Sequence, residues 1–191
     1  MHVVAVGLTH RRAPLWLRER CSFAPGTGAA RHVAARAGLA EALVLSTCNR
    51  VELYGAVARA DVADAAERVL ALLAERAGVS PEVVRTHAEV RLADEAVRHL
   101  CRVSAGLDSM VVGETQVVAQ LRRAVAEARQ DGALGRVLQR LACTALAAGR
   151  RARGPAGAPG PTSMGEAAIA ALGAVLALDG ARVVILGVGD T

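Results

Sequence analysis

Two apolar segments separated by only four residues constrain the fold of this chain most strongly. Residues 41–46 are apolar between Glu41 and Ser46, and residues 51–57 alternate apolar with larger polar side chains, a pattern that predicts two β-strands. The connection Thr47-Cys48-Asn49-Arg50 is too short to contain a helix. We therefore expect a hairpin or a bent pair of strands, with Cys48 at its tip.

The order of the other predicted elements indicates the fold class. The apolar run at 2–9 predicts a buried strand, and Pro14 stands where a first helical turn begins. Amphipathic patterns predict helices at 27–38, 61–78, 93–105, 114–131 and 134–152, with a short helix opening at 80–82. Strands that precede long helices are typical of an α+β fold. Since 53% of the residues are hydrophobic but only 2% are aromatic, small aliphatic side chains must fill the core.

A change of composition divides the chain. Residues 154–161 contain only glycine, proline and alanine, which predicts a linker between a domain at 1–153 and a second unit at 162–191. The second unit begins with a predicted helix at 162–178 and a strand at 181–186. The final residues then begin a dinucleotide-binding turn, a weak signal because the third glycine and the following helix are absent: Gly187, Val188, Gly189, Asp190 and Thr191.

Charge and cysteine usage limit the possible partners and compartment. The formal net charge is +5, and arginine supplies all of the positive side chains. A basic surface suits a polyanion such as RNA, although a solvated surface without a partner explains the charge equally well. The four cysteines are far apart, so zinc-site spacing is missing and no metal is expected. We found no secretory signal and no apolar run of the ~18 residues that a membrane span needs, which favours a cytoplasmic protein with reduced thiols.

Cys48 is the strongest candidate for chemistry. It lies in a polar turn at the end of a buried strand, with Arg50 two residues away and hydrogen-bonding groups on Thr47 and Asn49. Thiolates are the nucleophilic form of cysteine, and a nearby cation increases their population. A lone cysteine is also commonly a small buried hydrophobe, so both interpretations stay open on the pattern alone.

Two further segments carry polar groups in unusual places. His99 lies at the border of the apolar face of its predicted helix, where a histidine faces a cleft or is a satisfied core-edge residue. The segment 106–116 combines two glycines, two acids, a serine and a glutamine around an apolar centre. It is either an ordinary connection between helices or a group of side chains that converge on a small polar ligand.

Four stretches together resemble glutamyl-tRNA reductase, the family that begins five-carbon tetrapyrrole synthesis. They are GLTHRRAP at 7–14, STCNRVELY at 46–54, HLCRVSAGLDSMVVGETQ at 99–116 and GARVVILGVGD at 180–190. The resemblance implies a ferredoxin-like antiparallel sheet with helices, then further helices and the first strand of a Rossmann domain. It also implies that Cys48 attacks the glutamyl ester of tRNA and that NADPH reduces the resulting thioester to glutamate-1-semialdehyde.

The resemblance also assigns site residues. His99 matches a histidine important for activity, and Arg50 suits a bidentate grip on a glutamate carboxylate. The positions 187–191 match the start of the NADPH site. The remaining matched substrate positions are Thr47, Asn49, Ser109, Glu114, Thr115, Gln116 and Gln120.

Departures from the family pattern matter too. Thr115 replaces a usual proline, Cys101 replaces a common aromatic residue, and 154–161 lacks the usual basic, serine-rich character. The family continues beyond residue 191 with the rest of an NADPH domain and a helical homodimerisation domain. We therefore expect this chain alone to bind NADPH negligibly and not to reduce the thioester.

Because the chain is shorter than the family members it resembles, two alternative functions stay open. The chain can act as an esterase that releases glutamate from Cys48, or as a non-catalytic module that holds tRNA or a partner. Arg150, Arg151 and Arg153 are candidate tRNA contacts, although a solvated helix end explains them as well.

Overall fold

The computed structural model describes residues 1–112, 114, 116–153, 164–176, 180, 182 and 184. The four described strands are β1 His2–Thr9, β2 Glu41–Ser46, β3 Arg50–Val57 and β4 Glu89–Leu92. The helices that precede β4 are α1 Leu15–Cys21, α2 Ala29–Ala37, α3 Val62–Ala77 and α4 Pro81–His87, with a short 3-10 turn at Arg59–Asp61. The later helices are α5 Asp94–Ser104, α6 Gln116–Gln130, α7 Arg136–Arg153 and α8 Met164–Gly173.

The four strands form one antiparallel sheet in the order β2-β3-β1-β4. The short connection makes β2 and β3 a hairpin, and the crossover through α1 and α2 leaves β3 between β1 and β2. The element order β-α-β-β-α-β with this strand order is the split βαβ arrangement of ferredoxin-like folds. The predicted α+β class, the predicted ferredoxin-like sheet and the predicted hairpin are therefore confirmed.

The core is aliphatic, as the composition requires. Helices α1 to α4 pack against one another, as do α5 to α7, and members of both groups contact the sheet. Helix α3 contributes many buried alanine and leucine side chains, which allow close packing on β1. Gly55 on β3 marks one such close approach, because a Cβ there would lie 2.7 Å from Cδ1 of Leu39.

Strand β4 was not predicted, and its residues show why. Val90 and Leu92 are 42% and 40% exposed, whereas the alternate residues Glu89 and Arg91 are less exposed and form an ion pair of 2.7 Å. The strand turns its charged side chains inward and its apolar ones outward. Charged and apolar residues alternate over 89–92, but four residues directly before a predicted helix are the shortest signal for a strand. Charged side chains of this kind are common on edge strands.

Helices α2, α6, α7 and α8 each begin two residues later than predicted, and two of these differences have a visible cause. Helix α6 begins at Gln116 instead of 114, because Glu114 lies outside the helix with its backbone N–H bonded to the carbonyl of Val111. Helix α7 begins at Arg136 instead of 134, and the backbone N–H groups of its first turn reach the Glu41 carboxylate. A side chain from β2 thus caps this helix, which no local pattern reveals.

Several sequence predictions lie outside the described residues. These are the linker at 154–161, the strand at 181–186 apart from Arg182 and Val184, and the turn at 187–191. The division into two units therefore stays a prediction. Within the described segments, no helix is both long enough and apolar enough to cross a membrane.

Candidate active site

Cys48 lies in a tight turn that its neighbours hold by hydrogen bonds. The backbone N–H of Thr47 donates to the carbonyl of Arg50 at 2.8 Å, so Cys48 and Asn49 are the two central residues of the hairpin. The hydroxyl of Thr47 accepts from the backbone N–H groups of Asn49 and Arg50, both at 3.2 Å. Cys48 is a free, exposed cysteine on a fixed backbone, in the position predicted from the sequence.

A buried arginine from α1 anchors the same turn. Arg18 donates from Nε to the carbonyl of Cys48 at 3.3 Å and from Nη1 to the carbonyl of Ala13 at 2.6 Å. It links the start of α1 to the hairpin tip and brings a positive charge close to the cysteine. No sequence pattern indicates this contact, because Arg18 and Cys48 are 30 residues apart.

A small cleft opens beside the cysteine, between the hairpin tip and the first turns of α6. It encloses about 270 Å³, part of which is open to solvent. Its lining is mostly polar and consists of Thr47, Cys48, Asn49, Arg50, Ser109, Glu114, Val117 and Gln120. The structure thus collects residues from three separate parts of the sequence, and Ser109 and Glu114 in this lining are buried.

The predicted substrate residues divide according to this cleft. Six of them line it together with Cys48: Thr47, Asn49, Arg50, Ser109, Glu114 and Gln120. Gln116 is exposed at the start of α6 and does not line it. Thr115 and the cofactor positions 187–191 lie outside the described residues.

Arg50 forms the buried floor of the cleft, with only 2% of its surface exposed. Its Nη1 donates to Oε1 of Glu52 at 2.9 Å and to Oδ2 of Asp108 at 3.4 Å, and its Nη2 donates to the carbonyl of Asp108 at 2.6 Å. These bonds use three of the five N–H donors of a guanidinium group. The predicted bidentate grip on a substrate must therefore use the remaining two.

Glu52 is the centre of this buried network. Its Oε1 also contacts Nε2 of His99 at 2.8 Å, and its Oε2 accepts from the hydroxyl of Tyr54 at 2.6 Å. Burial by itself raises the pKa of Glu52, but the hydrogen bond with His99 and the charge of Arg50 outweigh it and lower the pKa to about 2. Glu52 is therefore a carboxylate at neutral pH, stabilised by three donors.

His99 lies behind the cleft instead of facing it. It is 5% exposed and does not line the cleft, and its contact with the site runs through Glu52 to Arg50. The catalytic role predicted for His99 stays a prediction. The observed contacts are those of a residue that acts on the substrate only through other side chains.

Sequence reasoning missed Glu52, Tyr54, Asp108 and Arg18. A signal for the first two was available, since Arg50, Glu52 and Tyr54 occupy alternate positions of β3 and so share one face of the strand. Charged residues repeated on one face of a wholly buried strand must be paired, because an isolated buried charge is too costly. The pairing of Asp108 across 58 residues had no such signal.

Comparisons with known proteins agree with this geometry. A family model described as the glutamyl-tRNAGlu reductase N-terminal domain matches residues 6–155. A glutamyl-tRNA reductase of Rubrobacter xylanophilus is 44% identical over 195 residues, which cover 100% of this chain and 44% of that protein. A glutamyl-tRNA reductase of Thermus thermophilus is 42% identical over 187 residues, which cover 97% of this chain and 44% of that protein.

A solved structure shows the same architecture. The glutamyl-tRNA reductase from Methanopyrus kandleri superimposes with a TM-score of 0.69 and 31% identity, over 89% of this chain and 39% of that one. The chain thus spans less than half the length of the relatives that it matches. The match of the family model over most of the chain, together with these identities, shows that the chain belongs to the family of the glutamyl-tRNA reductase N-terminal domain.

Proposed function

We propose that Cys48 takes the glutamyl group from glutamyl-tRNA as a thioester, the first half of the glutamyl-tRNA reductase reaction that opens tetrapyrrole synthesis. The observation that carries this proposal is the cleft, which places an exposed free cysteine beside a buried arginine and five polar side chains that match substrate positions. The names and identities of the relatives support the choice of substrate.

The proposed step needs few groups from the protein. The Cys48 thiolate attacks the ester carbonyl carbon, an Sγ–C bond forms, and the bond from that carbon to the ribose oxygen breaks. The ribose oxygen takes a proton from water, so tRNA leaves with a free hydroxyl. Because an aminoacyl ester is already activated, a fixed thiolate can attack it without a dedicated triad.

The cleft offers complementary groups for the rest of the glutamyl substrate. The two remaining N–H donors of Arg50 and the hydroxyl of Ser109 suit the side-chain carboxylate. The carboxylate of Glu114, buried in the same cleft, suits the α-ammonium group. With a positive and a negative group in the same cleft, the two charged groups of the substrate would fix which way it lies and hold its carbonyl at Sγ.

The second half of the reaction extends the proposal. When bound, NADPH would supply the hydride that reduces the thioester to glutamate-1-semialdehyde. The matched cofactor positions lie outside the described residues. Homodimerisation, which the resemblance implies for longer family members, likewise stays a prediction.

Transfer of label from tRNA to protein tests the proposal. We expect tRNA carrying labelled glutamate to label the wild-type chain without cofactor and to leave a Cys48→Ser variant unlabelled. Release of free glutamate without lasting label would instead indicate an esterase. Tight tRNA binding by both proteins, with neither label nor free glutamate, would indicate a binding module and contradict the proposal.

An arginine-to-lysine exchange tests the substrate contact. Arg50→Lys keeps the positive charge but loses the planar fork, so we expect labelling to need at least roughly tenfold more glutamyl-tRNA. Arg122→Lys, on the exposed surface of α6, is the matched control and should behave as wild type.

A further inference from the structure

A second cavity adjoins the cysteine cleft. It lies between α6 and the loop that leads from α1 to α2, and it encloses about 830 Å³, part of it open to solvent. Gln120 lines both this cavity and the cleft, and Ser46, the last residue of β2, lines the cavity directly before the Cys48 turn. Gln120 therefore lies at the boundary between the two, so a molecule held in the cleft lies next to the cavity.

One face of α6 forms a wall of this cavity. Gln120, Arg123, Glu127 and Asp131 follow one another along it at intervals of three or four residues. At the helical rise of about 1.5 Å per residue, Glu127 lies about 10 Å along the axis from Gln120. A nucleoside has a comparable span from its ribose oxygens to the far edge of its base.

The charges along this wall change sign. Arg123 lies near the cysteine cleft, whereas the carboxylates of Glu127 and Asp131 lie at the far end. Asp131 accepts from the backbone N–H of Ala30 at 3.2 Å. The half-buried carboxylate of Glu127 has no hydrogen-bond or ion-pair partner among the residues that the structure describes.

This arrangement excludes some ligands and suits others. Two carboxylates at the far end repel a phosphate chain, so the cavity does not fit a run of RNA backbone. Carboxylates accept hydrogen bonds from ribose hydroxyls and from the amino groups of bases. A single uncharged nucleoside, with any 5′ phosphate near Arg123, satisfies both conditions.

We propose that this cavity, called here the nucleoside pocket, holds the 3′-terminal adenosine of the substrate. The inference rests on the proposed function, because the glutamyl carbon that Cys48 attacks is bonded to a ribose oxygen of that adenosine. With the glutamyl group in the cleft, the ribose lies at Gln120 and the adenine extends towards Glu127. The pocket thus fixes the leaving group of the acyl transfer.

Two small esters separate this inference from the proposed function. The 2′(3′)-O-glutamyl ester of methyl riboside has the same kind of leaving group as 2′(3′)-O-glutamyl-adenosine but lacks the adenine, so only the adenosine ester extends towards Glu127. We expect the adenosine ester to acylate Cys48 at least roughly tenfold faster at equal subsaturating concentration, as one or two added hydrogen bonds would give. Equal rates for the two esters would overturn the nucleoside pocket and leave the acyl transfer intact, whereas acylation by neither ester would overturn both.

Two neighbouring substitutions test the location. Glu127→Ala should lower the ratio of the two rates about fivefold, the value of roughly 1 kcal/mol for one hydrogen bond. Arg122→Ala changes a residue of the same helix that does not line the pocket, and it should keep the wild-type ratio. An unchanged ratio in Glu127→Ala would overturn the assignment, as would an equal fall in both variants.

A competition experiment with NADPH distinguishes whether the pocket binds the adenosine of the tRNA or the adenosine of a dinucleotide. Added NADPH should leave the ratio of the two rates unchanged, because we assign the pocket to the tRNA end. A ratio that collapses with NADPH would overturn this assignment in favour of a dinucleotide.

Discussion

Replacing Glu52 by glutamine removes the central charge of the buried network while keeping its shape. In the variant Arg50, which is 2% exposed, keeps only Asp108 as a charged partner, and His99 and Tyr54 lose theirs. Breaking a buried ion pair by removing one partner costs about 3–5 kcal/mol. We therefore expect a large loss in the free energy of unfolding at neutral pH.

The lowered pKa of Glu52 gives a second value for this loss in the free energy of unfolding. Folding lowers the pKa of Glu52 from 4.5 to about 2. At about 1.4 kcal/mol per pKa unit, the ionised carboxylate contributes about 3 kcal/mol of stability. Because the folded pKa lies below the unfolded value, this stability is complete above about pH 5 and is lost as the pH falls towards 2. The two arguments agree on about 3 kcal/mol.

Urea denaturation at several pH values is the appropriate assay. At pH 7 we expect Glu52→Gln to be less stable than wild type by about 3 kcal/mol, and by pH 3 more than half of that difference should disappear. Glu67→Gln provides a control, since Glu67 is an exposed partner of Arg85. Its effect should stay within about 1 kcal/mol, as for other surface ion pairs. A Glu52→Gln difference below 1 kcal/mol, or one that does not depend on pH, would refute the argument.

Substitutions at three positions test the packing and the turn around the site. Cys48→Ser should abolish acylation yet change the free energy of unfolding by less than about 0.5 kcal/mol, because the side chain is exposed; a larger loss in urea denaturation would show a structural role. Gly7→Ala should destabilise the chain by about 1–3 kcal/mol and slow acylation, since its Cβ would lie 3.0 Å from Cγ of Glu52. Arg18→Met should slow acylation by the small esters, because the Cys48 carbonyl loses its donor, and Arg18→Lys should restore part of the rate. Equal rates in Arg18→Met and wild type would show that the turn holds without this anchor.

Much of the fold could be predicted because hydrophobic periodicity reflects burial directly. The hairpin of β2 and β3 follows from two buried strands and a four-residue connection, and it places Cys48 at the tip without any structural information. Strand β4 was missed although residues 89–92 alternate charged and apolar, because the alternation is only four residues long. Its inward face could not be predicted either, since Glu89 and Arg91 are less exposed as an ion pair than Val90 and Leu92.

The site was predicted in part, for a related reason. Cys48 and its neighbours in the turn are contiguous in sequence, so their chemistry can be recognised together. Arg50 was expected to be free for substrate, but three of its donors are bound by partners, including Asp108 at a distance of 58 residues in the chain. Contacts of this kind depend on how β3 packs against the segment after α5, and only the folded chain reveals them.

Acylation of Cys48 by glutamyl-tRNA is the central claim, and intact-protein mass spectrometry tests it most directly. After brief mixing with glutamyl-tRNA in the absence of NADPH, the wild-type chain should gain the mass of one glutamyl group. Peptide mapping should place that group on Cys48, and hydroxylamine should remove it as expected for a thioester. Cys48→Ser should gain no mass under the same conditions. A wild-type chain that gains no glutamyl mass, or carries it on Cys21, Cys101 or Cys143, would contradict the account.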